Sequence, residues 1–278
     1  MSTSVDVAFV KQFEREVHEA YQRKGSKLRG TVRTKNGIVG SSTTFQKAGT
    51  GTAVTKSRHG IIPPMNVLHE NVECLLADYY AGDWVDKLDE LKTNIDERGV
   101  IANAGAYALG RKTDDLIFDA LDDATNQIAV GTSGMSVAKF LASIAEMADR
   151  DVAVDESDNM FFIVGWKEWT QLMTEDEFSD ADFVPREELP FQGKGMFAKM
   201  FAGVMTMPHS GITPDGSDHT TNLMYHRSAV GHAIAADVSS DITWHGDRAA
   251  HFINNMMSQG AVLIDDNGVQ EVLADRSP

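Results

Sequence analysis

The sequence of 278 residues has a single cysteine, Cys74, and this scarcity excludes two kinds of structure. One thiol cannot form a disulfide within the chain, and it cannot build a cysteine-cluster metal site. Hydrophobic runs are also short, since no stretch approaches the roughly 18 apolar residues that a membrane-spanning helix requires. The first residues, 1–6, show no basic segment followed by an apolar one. We therefore expect no signal peptide and predict that the protein stays in the cytoplasm.

Acidic residues are missing from one long segment. None occurs between Glu19 and Glu70, where the chain carries nine Lys and Arg residues. Residues 1–60 have a net charge of +7 and the remaining 218 residues have −23, which together give the −16 of the chain. A basic segment beside an acidic body is typical of a protein that binds nucleic acid, an acidic partner, or the acidic body of another copy of itself. The last alternative is a head-to-tail contact, and repeated head-to-tail contacts build rings and shells.

Proline is absent from residues 65–184, which permits long helices there. Apolar residues at seven-residue spacing predict one long helix over 84–121, with a break near Gly99 or Gly110. The middle of this helix, 102–108, consists mostly of small residues that let another element approach its backbone closely. Further helices are predicted over 5–23, 135–149 and 166–173.

Strand patterns alternate with these helices. The Asn36-Gly37 step after 31–34 predicts a hairpin turn. The segments 39–47 and 52–56 predict a second extended ribbon, with too few large apolar residues to form a core by itself. Further strands are predicted at 160–164, 200–206, 223–236, 261–264 and 269–273, with a turn at 265–268. The sequence therefore predicts a mixed α+β protein with an arm, a ribbon, a long helix and a compact second region.

Two short motifs match those of serine acyl-transferases. Ser136-Val-Ala-Lys139 fits S-x-x-K, and Ser157-Asp158-Asn159 fits S-D-N, but the third element of that pattern, Lys-Thr-Gly on a strand, is missing. Ser136 at the start of a helix is better explained as a cap. We therefore predict no catalytic residue, and the alternative is a soluble serine hydrolase that uses Ser136 and Lys139.

The sequence gives little support to metal or base-specific nucleic-acid binding. The nine histidines are spaced too loosely to place ligands on one face, so we expect no metal site and no cofactor. Between Arg23 and Arg58 the only aromatic residue is Phe45, which is poor interleaving for base stacking. A nucleic-acid-binding protein that acts as a small oligomer remains a third possibility, and it would lose duplex affinity steeply with salt.

Two parts of the sequence resemble a known family. The first is Asp78-Tyr-Tyr-Ala-Gly-Asp-Trp-Val-Asp-Lys-Leu-Asp-Glu-Leu91, which continues through 103–112. The second is the order of a strand, a short helix, Gly203-Val-Met-Thr-Met207 and Tyr225-His-Arg-Ser-Ala-Val-Gly231. Together these resemble the major capsid proteins of tailed bacteriophages, whose fold is shared with herpesvirus shells. The similarity covers most of the chain.

The resemblance implies a fold and a function. The fold would have an N-terminal arm, an extended β-hairpin loop, a peripheral domain with a long spine helix, and an axial domain. These parts would be 1–35 for the arm, 36–75 for the loop, 76–154 for the peripheral domain, 155–224 for the axial domain and 225–278 for the return to the peripheral domain. The protein would be a shell subunit and not an enzyme. It would form pentamers and hexamers of an icosahedral head that encloses double-stranded DNA, and it would be assembled in the bacterial cytoplasm and carried in the virion.

The resemblance also implies partners. The main partners would be many copies of the chain itself, with a portal, a decoration protein as a further possibility, and DNA bound without sequence-specific contacts. No long helical extension precedes the arm, so we expect a separate scaffolding protein. The basic residues at the subunit interface would be Arg33, Lys35, Lys47, Lys56 and Arg58. Some relatives join loop lysines to asparagines of neighbours, and Lys47 and Lys56 are the candidates by position.

Overall fold

The computed structural model describes residues 23–92, 96–131, 134–179 and 198–276. Helices and strands alternate along the chain, which confirms the mixed α+β class. The helices are α1 (Lys87–Lys92), α2 (Glu97–Asp122), α3 (Val137–Asp149), α4 (Trp166–Met173) and α5 (Asp176–Ser179). The strands are β1 (Arg33–Asn36), β2 (Ser42–Ala48), β3 (His69–Leu75), β4 (Ala77–Asp86), β5 (Gln127–Ile128), β6 (Met160–Val164), β7 (Lys199–Phe201), β8 (Val204–Pro208), β9 (His219–His226), β10 (Val230–His245), β11 (Ala250–Leu263) and β12 (Val269–Asp275).

The chain forms two compact units, each assembled from separate parts of the sequence. The smaller unit takes 1–26, 78–112 and 236–258, and the larger unit takes 27–77, 113–235 and 259–278. Helix α2 and strands β10 and β11 each have residues in both units. This division cuts across the predicted domain boundaries, since residues on both sides of 154 and of 224 belong to the larger unit. The assignment of segments to arm, loop, peripheral domain and axial domain stays a prediction.

A six-stranded sheet in the order β5-β12-β9-β6-β8-β7 forms the centre of the larger unit. Strand β6 runs antiparallel to β9 and parallel to β8, and all five of its residues are buried. Because both faces of this strand are covered, its sequence is a continuous run of apolar residues. On one face, Phe162 packs with α3 and α4. On the other face, Phe161 and Ile163 pack with the last turns of α2 and with Leu28.

A two-stranded ribbon of β2 and β3 belongs to the same unit. The strands pair antiparallel from Ser42 opposite Leu75 to Ala48 opposite His69. Strand β1 does not join this ribbon, because it pairs in parallel with the first residues of β10, with Arg33 opposite Gly231. The segment 49–68 between the two ribbon strands contains no helix or strand.

The smaller unit contains a sheet in which β11 lies between β10 and β4, and the first half of α2. The helix approaches the sheet closely at Gly105, where a β-carbon would meet the Asn255 side chain and the Ala81 carbonyl oxygen. The Asn255 amide donates to that carbonyl at 3.1 Å. The prediction that the small residues at 102–108 allow a close approach is therefore confirmed.

Several predicted elements are confirmed. Strand β6, helix α4, the turn at 265–268 and strand β12 lie where the sequence placed them. Helix α3 also does, and the Ser136 hydroxyl caps its start by accepting from the Lys139 N–H at 3.3 Å. The predicted helix over 5–23 lies outside the described residues, apart from its last residue.

Other predicted elements are wrong in ways that have physical causes. Asn36-Gly37 does not join two paired strands, because β1 finds its partner almost 200 residues away in β10. Strand β2, at 42–48, pairs with 69–75 and not with 52–56, because β3 brings Cys74 into the same buried cluster as Phe45, whereas residues 52–56 are all exposed.

Three elements that were predicted as continuous are interrupted in the structure. The helix predicted from 84 begins as the end of β4, and α1 and α2 follow as separate helices. The predicted strand at 200–206 is a hairpin that turns at Ala202 and Gly203, both with positive φ. The predicted strand at 223–236 is interrupted by a one-turn helix at Arg227–Ala229, which the His226 side chain caps.

Candidate subunit interface

The base of the ribbon is fixed to the larger unit by two buried side chains. Phe45 and Cys74 are 2 % and 1 % exposed, and they pack with Ala233 and Ile264. The Phe45 ring lies so close to Gly231 that a β-carbon there would come within 2.7 Å of it. Burial raises the pKa of the Cys74 thiol to about 11. The ribbon therefore leaves the body from an apolar seat that requires glycine at position 231.

Two of the predicted interface residues lie near this seat. The Arg33 guanidinium stands over the Phe45 ring, 5.7 Å from its centroid. The Lys35 ammonium donates to the Thr43 hydroxyl at 2.7 Å and to the Thr44 carbonyl oxygen at 3.4 Å. Both side chains line an open groove of about 410 Å³ between β1 and β2. Their contacts within the chain tie β1 to β2, and their charges remain exposed.

Lys47 forms an ion pair within its own chain. Its ammonium lies 2.8 Å from the Asp265 carboxylate, and the two side chains are 30 % and 35 % exposed. Partly exposed pairs of this kind contribute at most about 1 kcal/mol. The pair therefore adds little to the stability of the fold, and its main effect is to join the ribbon to the turn at 265–268.

The other two predicted residues, Lys56 and Arg58, lie in the segment between the ribbon strands. Both are exposed, and neither forms an ion pair with any acidic residue in the described part of the chain. The structure thus separates the five basic residues into two groups. Arg33, Lys35 and Lys47 contact their own chain, whereas Lys56 and Arg58 project from it.

The same segment exposes large apolar side chains that our sequence analysis did not single out. Ile61 is 94 % exposed and Ile62 is 72 % exposed, directly before Pro63-Pro64. Val54, Met65 and Leu68 are each more than half exposed. We call residues 50–68 the projecting loop. Several large apolar side chains exposed in one segment are typical of a binding site. The sequence contained a signal for them, because Ile61 and Ile62 are large apolar residues directly before two prolines, which do not continue a helix or an inner strand.

A second anchor lies where the chain enters the larger unit. The buried Asp114 carboxylate accepts from the main-chain N–H groups of Lys27 and Leu28, at 3.0 and 3.1 Å. It also accepts from His209 Nε2 at 3.1 Å. The Gly211 N–H donates to His209 Nδ1, so the ring hydrogen is on Nε2. Nearby, burial raises the pKa of the Tyr225 hydroxyl, which is hydrogen-bonded to Thr31. Residues 27–31 are thereby held by buried polar contacts.

The sequence model of the phage capsid protein family matches residues 5–275. The chain belongs to this family. A search of the curated proteins finds no match.

Solved structures agree with this assignment of the capsid protein. The capsid of Ralstonia phage GP4 has a TM-score of 0.74 and 13 % identity, with 96 % of this chain and 95 % of that chain covered. The head of Helicobacter pylori bacteriophage KHP40 has a TM-score of 0.74 and 11 % identity, with 100 % and 97 % covered. The mature capsid of bacteriophage PhiM1 has a TM-score of 0.72 and 13 % identity, with 97 % and 93 % covered. At these identities the similarity shows the fold, which is that of the phage major capsid proteins, as predicted.

The geometry of the capsid protein does not support the hydrolase alternative. The Ser136 hydroxyl caps α3, and the Lys139 ammonium donates to the carbonyl oxygens of Val130 and Leu273, at 2.6 and 3.2 Å. Desolvation lowers the pKa of Lys139. This lysine joins α3 to β12. The capsid protein is a structural shell subunit and not an enzyme, because its family is one of capsid proteins.

The described residues contain neither a metal-binding cluster nor a membrane-spanning helix. Among the described residues, no group of three or more His, Cys, Asp or Glu side chains is placed to hold a metal ion. No helix in the described ranges is long and apolar enough to cross a membrane.

Proposed function

We propose that the capsid protein assembles into pentamers and hexamers of the icosahedral head of a tailed bacteriophage, which encloses double-stranded DNA. The assembly takes place in the host cytoplasm, with a separate scaffolding protein and a portal. A decoration protein, where there is one, binds the outer surface of the finished shell. Contacts with DNA are made with phosphates and do not read the base sequence. The projecting loop is the main contact between neighbouring subunits.

The exposed chemistry of the projecting loop carries this proposal. The loop has no acidic residue, carries Lys56 and Arg58, and leaves Ile61 almost fully exposed and Ile62 mostly exposed to solvent. Its base is fixed by Phe45 and Cys74, so the loop is held out from the body on a defined seat. Apolar side chains in that position lower the free energy only when another surface covers them, by roughly 25 cal/mol for each Å² buried.

The acidic body supplies the electrostatic part of the contact. Residues outside 1–60 have a net charge of −23, so the loop of one copy is attracted to the body of another. A contact between two different surfaces of the same chain is heterologous, and such contacts close into rings when the rotation between copies allows it. Arg33, Lys35 and Lys47 then act by fixing the ribbon, while Lys56 and Arg58 contact the neighbour.

The test is a variant in which residues 52–67 are replaced by the same number of Gly and Ser residues. We do not delete β2 itself, because that would expose Val72 and Cys74. A failure to assemble could then result from misfolding and not from the loss of a subunit contact. We expect the variant to keep its circular dichroism and thermal transition but to form no particle that sediments as a shell or capsomer. Wild-type protein, co-expressed with its scaffold, is the positive control. Shells of normal size and yield from the Gly/Ser variant would refute the proposed role of the loop.

A further inference from the structure

The sequence contains two Asn-Gly steps, Asn36-Gly37 and Asn267-Gly268, and the structure gives them opposite surroundings. Asn36 is the last residue of β1, and both Asn36 and Gly37 are exposed. Gly37 has a φ of 70°, and a β-carbon there would meet nothing within 4 Å. Among the residues that the structure describes, none forms a hydrogen bond with the Asn36 side-chain amide or with the Gly37 N–H. The reacting groups of the first step are therefore free and open to water.

The second step is held in a packed turn. Gly268 is buried, and its N–H donates to the Asp265 carbonyl oxygen at 3.2 Å. The Asn267 N–H donates to the Asp265 carboxylate, also at 3.2 Å. A β-carbon on Gly268 would lie 2.7 Å from that of Ala229, so neighbouring atoms pack closely against this main chain. The same dipeptide thus occurs once in a free and once in a fixed conformation.

An asparagine that precedes a glycine loses its side-chain amide in water by a reaction of its own main chain. The glycine nitrogen attacks Cγ of the asparagine and closes a succinimide ring, while the Cγ–Nδ2 bond breaks and ammonia leaves with the proton of the glycine N–H. Water then opens the ring. Opening at Cγ gives aspartate, and opening at the main-chain carbonyl gives isoaspartate, whose main chain runs through Cγ. Glycine favours ring closure because it has no β-carbon to restrict its main chain.

We propose that Asn36 is a site of spontaneous deamidation and that its isoaspartyl product loosens the apolar seat of the ribbon. Ile38 packs against the buried cluster of Phe45 and Cys74, and its N–H donates to the Ile234 carbonyl oxygen at 3.3 Å. Isoaspartate adds one carbon atom to the main chain of residue 36, which moves Ile38 out of register with β10. Since water is the only co-reactant, the product accumulates with the age of the protein.

Ageing of the purified capsid protein in a mildly alkaline buffer made with heavy-oxygen water tests the site. The heavy oxygen enters the new carboxylate, so peptide mass spectrometry distinguishes reaction during ageing from reaction during digestion. We expect Asn36 in the folded protein to convert at least about tenfold faster than Asn267, because reaction at Asn267 requires its turn to open. In urea the two should convert at similar rates, since the dipeptide is the same. Equal rates in the folded protein, or faster conversion of Asn267, would overturn the assignment.

Thiol labelling of Cys74 tests the effect on the ribbon, because this buried thiol reacts only when the ribbon opens. Aged protein should contain a fraction, equal to its isoaspartyl content, that labels about tenfold faster than fresh protein, since a hydrogen bond and the packing of Ile38 are lost. Asn36→Gln is the matched variant that does not react, because glutamine would have to close a larger ring. Its labelling should not change with ageing.

A freshly prepared Asn36→Asp variant separates the added charge from the longer main chain. It carries the carboxylate without the extra carbon atom, and it should label Cys74 at the rate of fresh wild type. Fast labelling of this variant would assign the loosening to charge and overturn the role of isoaspartate. Unchanged labelling of wild-type protein that has been fully converted at Asn36 would show that the seat does not depend on this residue, and the proposed loosening would be wrong.

Discussion

Phe45→Ala tests whether the apolar seat holds the ribbon in place. The ring is 2 % exposed and packs with Cys74, Ala233 and Ile264. Truncating a buried phenylalanine typically costs about 3–5 kcal/mol, from lost burial and from the cavity that remains. Because β2 and β3 form a two-stranded sheet of their own, we expect this cost to favour local opening of the ribbon over unfolding of the body. A loss of stability of that size raises the opening equilibrium constant by about two to four orders of magnitude.

The single cysteine gives a direct assay. Cys74 is 1 % exposed, and burial raises the pKa of its thiol to about 11, so the closed ribbon protects it both sterically and by suppressing the thiolate. Labelling by a thiol reagent at pH 8 then proceeds through the open ribbon, and its rate follows the opening equilibrium. We expect Phe45→Ala to label at least about a hundredfold faster than wild type. Val39→Ala is the control, since Val39 is 97 % exposed and its loss should leave the rate unchanged. A Phe45→Ala protein that labels within about threefold of wild type would refute the argument that this ring holds the ribbon.

Three further predictions concern the larger unit. Gly231→Ala places a β-carbon 2.7 Å from the Phe45 ring, so we expect a cost of about 1–3 kcal/mol and faster Cys74 labelling, with Phe45→Leu in the same background restoring part of the protection. Asp114→Ala leaves the N–H groups of Lys27 and Leu28 and His209 Nε2 without their buried acceptor, and urea denaturation should show a loss of about 3–5 kcal/mol, with Asp114→Asn intermediate. Burial raises the pKa of Glu271, so the unfolded chain releases this proton first and stability falls as pH rises from the unfolded pKa to the folded one. Glu271→Gln should therefore raise the Tm at pH 7 and flatten that fall, and an unchanged Tm profile from pH 4 to 7 would contradict the sign.

The elements predicted correctly are those whose pattern is local. Strand β6 is a run of five apolar residues because it is buried on both faces, and that run is visible without any structure. The start of α3 was predictable in the same way, since a serine that accepts from the N–H three residues on is a local cap.

The features that were not predicted depend on partners far away in the sequence or on backbone conformations that the residue types do not indicate. Nothing near Arg33 indicates that β1 pairs with residues 231–234, since the partner strand is remote. The hairpin between β7 and β8 places Ala202 at a φ of 47°, a conformation that alanine rarely adopts, so the turn was read as continuous strand. The ring contacts of Trp84 with His245 and Phe252 were missed for the first reason, because β4 and the β10–β11 hairpin come together only in the sheet.

The sequence assigned all five basic residues to the interface, and their contacts in the structure divide them into two groups. Lys47 is matched by Asp265 within its own chain, and Arg33 and Lys35 contact the ribbon that they border. Neutralising any of these three would loosen the ribbon and weaken assembly only indirectly, with a change in Cys74 labelling as its signature. Neutralising Lys56 or Arg58 removes a charge that contacts no acid in the described part of its own chain, so assembly should weaken with Cys74 labelling unchanged. Measuring both quantities on the same five variants therefore separates residues that hold the ribbon from residues that contact a neighbour.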